Sequence, residues 1–125
     1  MSEHDEQVAL FDWARANRGR HPQLNFLFSI PNGGLRNKVV AIKLKREGLM
    51  PGVPDIFLAC PMMYWEPKAP RHGLFIEMKF GKNKPTPLQT AWHKSLKEEG
   101  YAVELCYSFE EAKQAIIDYL MLEVE

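Results

Sequence analysis

The chain has 125 residues, of which 46% are hydrophobic and 26% charged, and it carries no net charge at pH 7. This length suits a single globular domain spanning residues 1–125 with a core of its own. No apolar run is long enough to cross a bilayer, and the acidic N-terminus is unlike a secretory signal. We therefore expect no membrane partner and a cytoplasmic location.

The zero net charge conceals an uneven distribution along the chain. Residues 32–96 carry eleven basic and four acidic side chains, whereas residues 97–125 carry two basic and eight acidic ones. A basic middle segment suits a polyanionic substrate such as nucleic acid, although a solvated charged surface is the commoner meaning of such a run. Because the candidate site residues also lie in this segment, we favour the nucleic-acid interpretation.

The first predicted element is a helix over residues 4–18, with Leu10, Trp13 and Ala14 on its apolar face. Glu6 falls within that face, and a carboxylate that points inward needs a partner. Two explanations are open: a favourable interaction with the positive end of the helix dipole, or a role at a metal site. A strand over residues 24–30 and a turn follow this helix.

A basic helix is predicted next, over residues 36–47, and no acidic residue interrupts its cations, which are Arg36, Lys38, Lys43, Lys45 and Arg46. We interpret it as a contact to the phosphate backbone of DNA, with an ordinary exposed helix as the alternative. The loop after it is stiff, because Pro51 and Pro54 fix the backbone and Gly52 permits an unusual shape or close approach. Such a loop, shaped by Gly52 and Pro54, suits the preorganisation of a site at Asp55.

Asp55 and Glu77 are the central candidate residues. Asp55 opens a strand over residues 56–60, and the alternation within a second strand over residues 74–80 places Glu77 and Lys79 on one face and Met78 on the other. If the two strands pair as antiparallel neighbours, two carboxylates and an ammonium meet at one edge. Together with the Met78 carbonyl they suit Mg²⁺ or Mn²⁺ at a site that cuts phosphodiesters. A structural ion pair between Glu77 and Lys79 is the simpler alternative.

The loop over residues 61–72 contains three prolines and the apolar cluster Met62, Met63, Tyr64 and Trp65. It could be a dimer contact, a surface that stacks on bases, or an extension of the hairpin folded onto the core, and we slightly favour the last. Cys60 and Cys106 are isolated and lie in apolar runs, which favours buried free thiols in a reducing compartment.

A basic loop with Lys82 and Lys84 precedes the third helix, whose start is a capping box from Thr86 to Gln89 with Pro87 at the first helical position. Gln89 thus has a structural explanation, to which a role at the site would be an addition. A strand over residues 101–107 and a last helix beginning at Ser108 complete the order. It describes an α/β fold in which helices flank a small, mixed sheet.

These residues in this order resemble the VRR-NUC family, a branch of the PD-(D/E)xK nuclease superfamily. The resemblance rests on Gly52-Val53-Pro54-Asp55, Glu77-Met78-Lys79 and Gln89, with Glu6 upstream. It implies a restriction-endonuclease-like core and metal-dependent DNA cleavage. It also implies that Asp55 and Glu77 bind the metal, that Lys79 is catalytic, and that Glu6 and Gln89 support the site.

Small stand-alone members of that family are similar to phage and bacterial nucleases that act on branched DNA. The resemblance therefore implies a homodimer that cuts structures such as four-way (Holliday) junctions, in a bacterial cell and possibly phage-encoded. The alternative is a catalytically inert module that keeps the fold and binds nucleic acid or recruits a partner.

Overall fold

The computed structural model describes residues 1–31, 37–64 and 69–123. The elements in chain order are α1 (Glu3–Asn17), a 3-10 helix (Pro22–Phe26), β1 (Leu27–Ser29), α2 (Lys38–Arg46), β2 (Ile56–Leu58), β3 (Leu74–Met78), α3 (Pro87–Glu98), β4 (Ala102–Cys106) and α4 (Phe109–Leu120). Apart from the 3-10 helix, this is the predicted order. Arg36, Trp65 and the predicted turn after residue 31 lie outside the described residues. None of the helices in the described ranges has the length and apolarity that a membrane span requires.

The four strands form one mixed sheet in the order β1-β2-β3-β4. β1 pairs with β2 and β2 with β3 in antiparallel fashion, whereas β3 and β4 are parallel. This confirms the predicted mixed sheet and the antiparallel pairing of the two strands that carry the candidate site. The parallel pair is possible because α3 provides the crossover between β3 and β4.

One face of the sheet is buried beneath α1 and α4. Leu58, Ile76 and Met78 of the sheet pack there with Leu10 of α1 and Ile116 of α4. The opposite face carries Glu77 and a row of aromatic side chains, in which the rings of Phe57 and Phe75 stack with their centroids 4.3 Å apart. The alternation predicted for β3 is therefore confirmed, since its even-numbered residues enter the core.

The predicted strand over residues 24–30 is wrong in its first half. Pro22 opens a 3-10 helix, and the Asn25 side chain donates a hydrogen bond to the Pro22 carbonyl, so the strand begins only at Leu27. Proline suits this position because its fixed φ is helical and its missing N–H would have no partner in a first turn. Tertiary context thus shortens β1 to three residues.

Sequence signals predict a capping box at the start of α3 and another at the start of α4; the first is confirmed and the second only in part. The Thr86 hydroxyl accepts from the Gln89 N–H and the Gln89 side chain accepts from the Thr86 N–H, which makes the predicted capping box. At α4, the Ser108 hydroxyl accepts from the Glu111 N–H, but the Glu111 carboxylate accepts from the Tyr107 N–H instead of closing the box.

The described part of the 61–72 loop extends the hairpin and folds onto the core. Met62 and Arg71 form an antiparallel bridge, and the Tyr64 hydroxyl donates to the Tyr119 carbonyl at 2.6 Å. Met63, in contrast, is largely exposed. Both cysteines are buried free thiols, as predicted.

Gly52 holds the loop before Asp55 against α3. Its φ of +92° is disfavoured for other residues, and an added Cβ would lie 2.7 Å from Leu88 Cγ and 2.8 Å from Trp92 Cδ1. The apolar spacing of Leu88, Trp92 and Leu96 predicts a buried stripe on α3, but no residue of α3 is fully buried, and Leu88 and Trp92 cover this loop instead.

We predict that Gly52→Ala lowers the free energy of unfolding by about 2 kcal/mol, because it combines backbone strain with overpacking. Gly48→Ala is the matched control, since Gly48 has a φ of +108° but nothing within 4 Å of the added Cβ. Urea denaturation should give a clearly lower midpoint for Gly52→Ala than for the control. Equal midpoints would contradict the close packing of this loop on α3.

Candidate active site

The pairing of β2 with β3 brings Asp55 opposite Glu77. Ile56 pairs with Ile76, so in an antiparallel register the residue before Ile56 faces the residue after Ile76. The Asp55 carboxylate accepts a hydrogen bond of 2.7 Å from the Met78 N–H, and the Asp55 carbonyl accepts one of 2.7 Å from the Ile30 N–H. Asp55 is therefore held from both neighbouring strands.

Glu77 is a buried carboxyl group, only 1% exposed. Burial, a hydrogen bond to the Asp55 side chain and the negative charge of Asp55 together raise its pKa to about 9, against the opposing charge of Lys79. The proton that Glu77 retains can be shared with the Asp55 side chain in this arrangement. Paired carboxyl groups with a strongly shifted pKa are typical of functional sites.

Lys79 lies beyond the end of β3, where its backbone N–H donates to the Cys106 carbonyl at 2.9 Å. Its charge acts on the pKa values of Glu77 and Glu3. The structure thus brings Asp55 and Glu77 together, with Lys79 two residues after Glu77 and close enough for its charge to act on that carboxyl group.

His93 of α3 is a site residue that the sequence interpretation missed. Its Nε2 lies 3.2 Å from Glu77 Oε1, and its side chain is 13% exposed. Burial, together with the nearby positive charges of Lys97 and Lys79, lowers its pKa, so the contact is a hydrogen bond of a neutral imidazole. The sequence offers little indication of this role, because no residue near His93 in the chain shows that α3 packs over Glu77.

The structure engages Glu6 at the start of α4. Its carboxylate accepts a hydrogen bond of 2.9 Å from the Phe109 N–H, and so caps the N-terminus of α4. The acidic residue of α1 that lies within electrostatic reach of the pair is Glu3. Desolvation, and then the negative charge of Asp55, raise the pKa of Glu3, while Lys79 lowers it.

The structure places the remaining predicted residues at the start of α3, on α2 and in the turn after β3. Gln89 has its side-chain oxygen engaged in the capping box, 2.9 Å from the Thr86 nitrogen. The predicted DNA contacts that the structure describes are all exposed, and they lie on α2 or in the turn after β3: Lys38, Lys43, Lys45, Arg46, Lys82 and Lys84.

The donor set fits a divalent cation that keeps part of its water shell. Among residues 1–31, 37–64 and 69–123, no group of three or more His, Cys, Asp or Glu side chains is arranged to hold a metal ion. Mg²⁺, however, commonly uses one or two carboxylates and several waters. Asp55 and Glu77 supply that number of hard oxygen ligands, and a cation could replace the proton that burial retains on Glu77.

A mixed sheet that places two carboxyl groups and a lysine on adjoining strands, with helices on both faces, defines a nuclease-type fold. The chain belongs to the VRR-NUC domain family, whose model matches residues 2–110. It is also similar to a solved structure of a "VRR_NUC domain protein", with a TM-score of 0.73 and 24% sequence identity over 98% of this chain and 91% of that one. No curated protein matches the chain.

We predict that Glu77→Gln stabilises the metal-free protein increasingly as the pH rises from 5 to 8. Because the folded pKa lies above the value of 4.5 for an unperturbed carboxyl group, folding retains a proton that unfolding releases, and stability falls over this range. The slope is up to about 1.4 kcal/mol per pH unit. Because glutamine cannot ionise, the Glu77→Gln variant should lack this dependence of stability on pH.

Thermal denaturation in EDTA at several pH values checks this prediction. Glu98→Gln, at an exposed carboxylate of α3, serves as the matched control and should follow the wild type at every pH. A difference between Glu77→Gln and the wild type that stays constant from pH 5 to 8 would contradict the buried, protonated state of Glu77.

Proposed function

We propose that this protein is a Mg²⁺- or Mn²⁺-dependent endonuclease that hydrolyses phosphodiester bonds in branched DNA, such as four-way junctions, and that it acts as a homodimer. The observation that carries the proposal is the Asp55–Glu77 pair with Lys79 on adjacent strands of the family's fold. Buried, interacting carboxyl groups at a strand end have no evident value for stability, because burying them costs free energy that apolar residues would not.

In this proposal Asp55, Glu77 and the Met78 carbonyl hold the cation, and Glu3 contacts its water shell from α1. When bound, the cation supplies an acidic water and offsets the negative charge of the scissile phosphate. The imidazole of His93 holds one oxygen of Glu77 in place, so that the other can serve as a ligand. Glu6 then acts indirectly, by fixing α1 to the start of α4.

Lys79 has a separate task in the proposed reaction. Its backbone is fixed by the hydrogen bond to Cys106, and its side chain is half-buried on the face of Glu77. An ammonium so placed stabilises charge that develops on the phosphate oxygens in the transition state, or orients the attacking water. Gln89 supports the site by fixing the first turn of α3 through the capping box with Thr86.

Two features support DNA binding by a dimer. The exposed cations of α2 give that helix a basic surface that suits the phosphate backbone, and Lys82 and Lys84 are exposed cations as well. α2 has no buried residue, and even its apolar side chains Val39 and Ile42 are 77% and 52% exposed. A nine-residue helix gains little stability alone, and a second copy could cover this face; a two-fold dimer also matches the symmetry of a four-way junction.

The proposal predicts cleavage that depends on metal and on Asp55. Matched linear, flap and four-way-junction DNAs, incubated with Mg²⁺, Mn²⁺ or EDTA, should be compared for the wild type and Asp55→Ala. We expect paired, symmetric cuts in the junction with either metal, and none in EDTA or with the variant. Tight binding without cutting of any substrate would instead identify an inert nucleic-acid-binding module.

Lys79→Ala should reduce the cleavage rate by about 100-fold or more, which is the usual effect of removing one group that stabilises a transition state. Binding of the same DNA, measured in EDTA, should change less than about twofold, since one exposed phosphate contact at most is lost. Lys94→Ala, at an exposed lysine of α3, is the control. Near-normal turnover of Lys79→Ala would remove its proposed role.

The basic surface predicts a steep dependence of DNA affinity on salt. Removing Lys43 and Arg46 together should reduce the slope of log affinity against log salt by about two, because two fewer counterions are released. Lys113→Ala, on α4, should leave the slope unchanged. A double variant with the wild-type slope would place the DNA on another surface.

A further inference from the structure

The outer edge of β4 is unpaired in the described part of the chain. In the sheet order β1-β2-β3-β4, no further strand of the described residues lies beyond it. The Ala102 N–H and the Cys106 carbonyl are both hydrogen-bonded on the β3 side. Because the main-chain groups of alternate strand residues point to opposite edges, those of Val103 and Leu105 point away from the sheet.

β4 lacks the devices with which proteins usually protect such an edge, namely lysine, proline and bulges. It has five residues, none of them lysine or proline, and each pairs with one residue of β3 without a bulge. Its apolar Leu105 is 36% exposed, and its single charged residue is Glu104. An edge of this kind can be extended by a segment that pairs with it through main-chain hydrogen bonds.

A groove between β4 and α4 follows this edge. It consists of two adjoining cavities of about 410 and 280 Å³, both of which are lined by Glu104 of the strand and Ala115 of the helix. A strand added to β4 would direct alternate side chains towards this groove. The side chains between them would lie on the other face of the sheet, on the side of Leu105.

Carboxylates line the groove. They belong to Glu104, Glu111 and Asp118, and all three residues are exposed. Burial, and then the negative charges of Glu104 and Glu111, raise the pKa of the Cys106 thiol to about 12, so these two carboxylates act on the same point at the strand end. Among the described residues that line the groove, Arg71 is the one cation, and it lies in the cavity farther from Cys106.

These carboxylates determine which strand would fit the edge. A second copy of β4 would bring its own Glu104 and the acidic face of its own α4 to the groove, and like charges that face each other across a sheet are destabilising. Lysine or arginine side chains would instead complement the groove. Apolar side chains at the intervening positions would cover Leu105.

We propose that the β4 edge binds an extended, basic segment of a partner protein as a fifth strand, with lysine or arginine side chains in the groove along α4 and apolar side chains beside Leu105. The surface includes neither the carboxyl pair of Asp55 and Glu77 nor the basic helix α2. The inference is therefore independent of the proposed nuclease function.

Fluorescence anisotropy with labelled peptides of about seven residues, the length of a short strand, tests strand addition. The first peptide alternates lysine with valine, the second is the same peptide with N-methylated central amides, and the third has glutamate in place of lysine. The wild type should bind the first at least about tenfold more tightly than either of the others. The second peptide keeps the charge but lacks the main-chain donors, and the third keeps the donors but repels the groove.

Two variants address the same contacts from the side of the protein. Leu105→Pro removes an outward N–H at an edge where proline is tolerated, and Glu104→Lys reverses the charge of the groove. Each should weaken binding of the first peptide at least about tenfold. The matched controls are Leu105→Val, which keeps the N–H, and Glu98→Lys, at an exposed carboxylate of α3 outside the groove. Both should stay within about twofold of the wild type.

Thermal denaturation identifies any variant that fails to fold, and the N-methylated peptide tests the wild type without any substitution. The inference is wrong if none of the peptides binds, or if the N-methylated peptide binds as tightly as the first, which would show attraction between charges alone. It is also wrong if sedimentation shows that the protein without peptide self-associates and that Leu105→Pro abolishes this association, because the occupant of the edge would then be a second copy.

Discussion

The burial of the Glu77 carboxyl group is the constraint around which the rest of the structure is arranged. A buried carboxyl group must find hydrogen-bond partners, and three separate elements supply them or position them. The β2–β3 register presents Asp55, α3 presents His93, and the Met78 N–H fixes Asp55 in turn. The pKa of Glu77 shows that these contacts do not fully replace water, and this residual cost is what a bound cation would relieve.

The features that the sequence predicted correctly are those decided within a few residues. The strand period of two assigns Glu77 to one face of β3 and Met78 to the other, whatever packs on either side. The capping box at Thr86 depends on only four residues. Even the meeting of Asp55 with Glu77 needed one further assumption, that the two site strands are antiparallel neighbours, and strands that follow one another in the chain are commonly adjacent in a sheet.

The parts of the site that were missed depend on contacts between elements far apart in the chain. Periodicity shows that Glu6 faces inward, but only the packing of α1 on α4 shows that its partner is the Phe109 N–H, 103 residues away. Glu3 lies seven residues before Leu10 and therefore on the same face of α1, but nothing within the helix shows that it approaches Asp55. His93 likewise contacts Glu77 only because α3 packs over β3, and no sequence pattern near His93 predicts that packing. Sequence periodicity identifies a face, and tertiary packing decides what that face contacts.

The composition of α1 shows that this helix does more than cover the sheet. A helix whose only task was to cover the sheet would present a broad apolar stripe, whereas α1 buries just Leu10 and Ala14. Its next stripe carries Arg15 and the C-cap Arg18 where apolar residues would have closed the helix over β1. Because β1 is an edge strand of three residues, it cannot close that gap either. The cavity between α1 and β1 therefore follows from the polar residues that α1 places there.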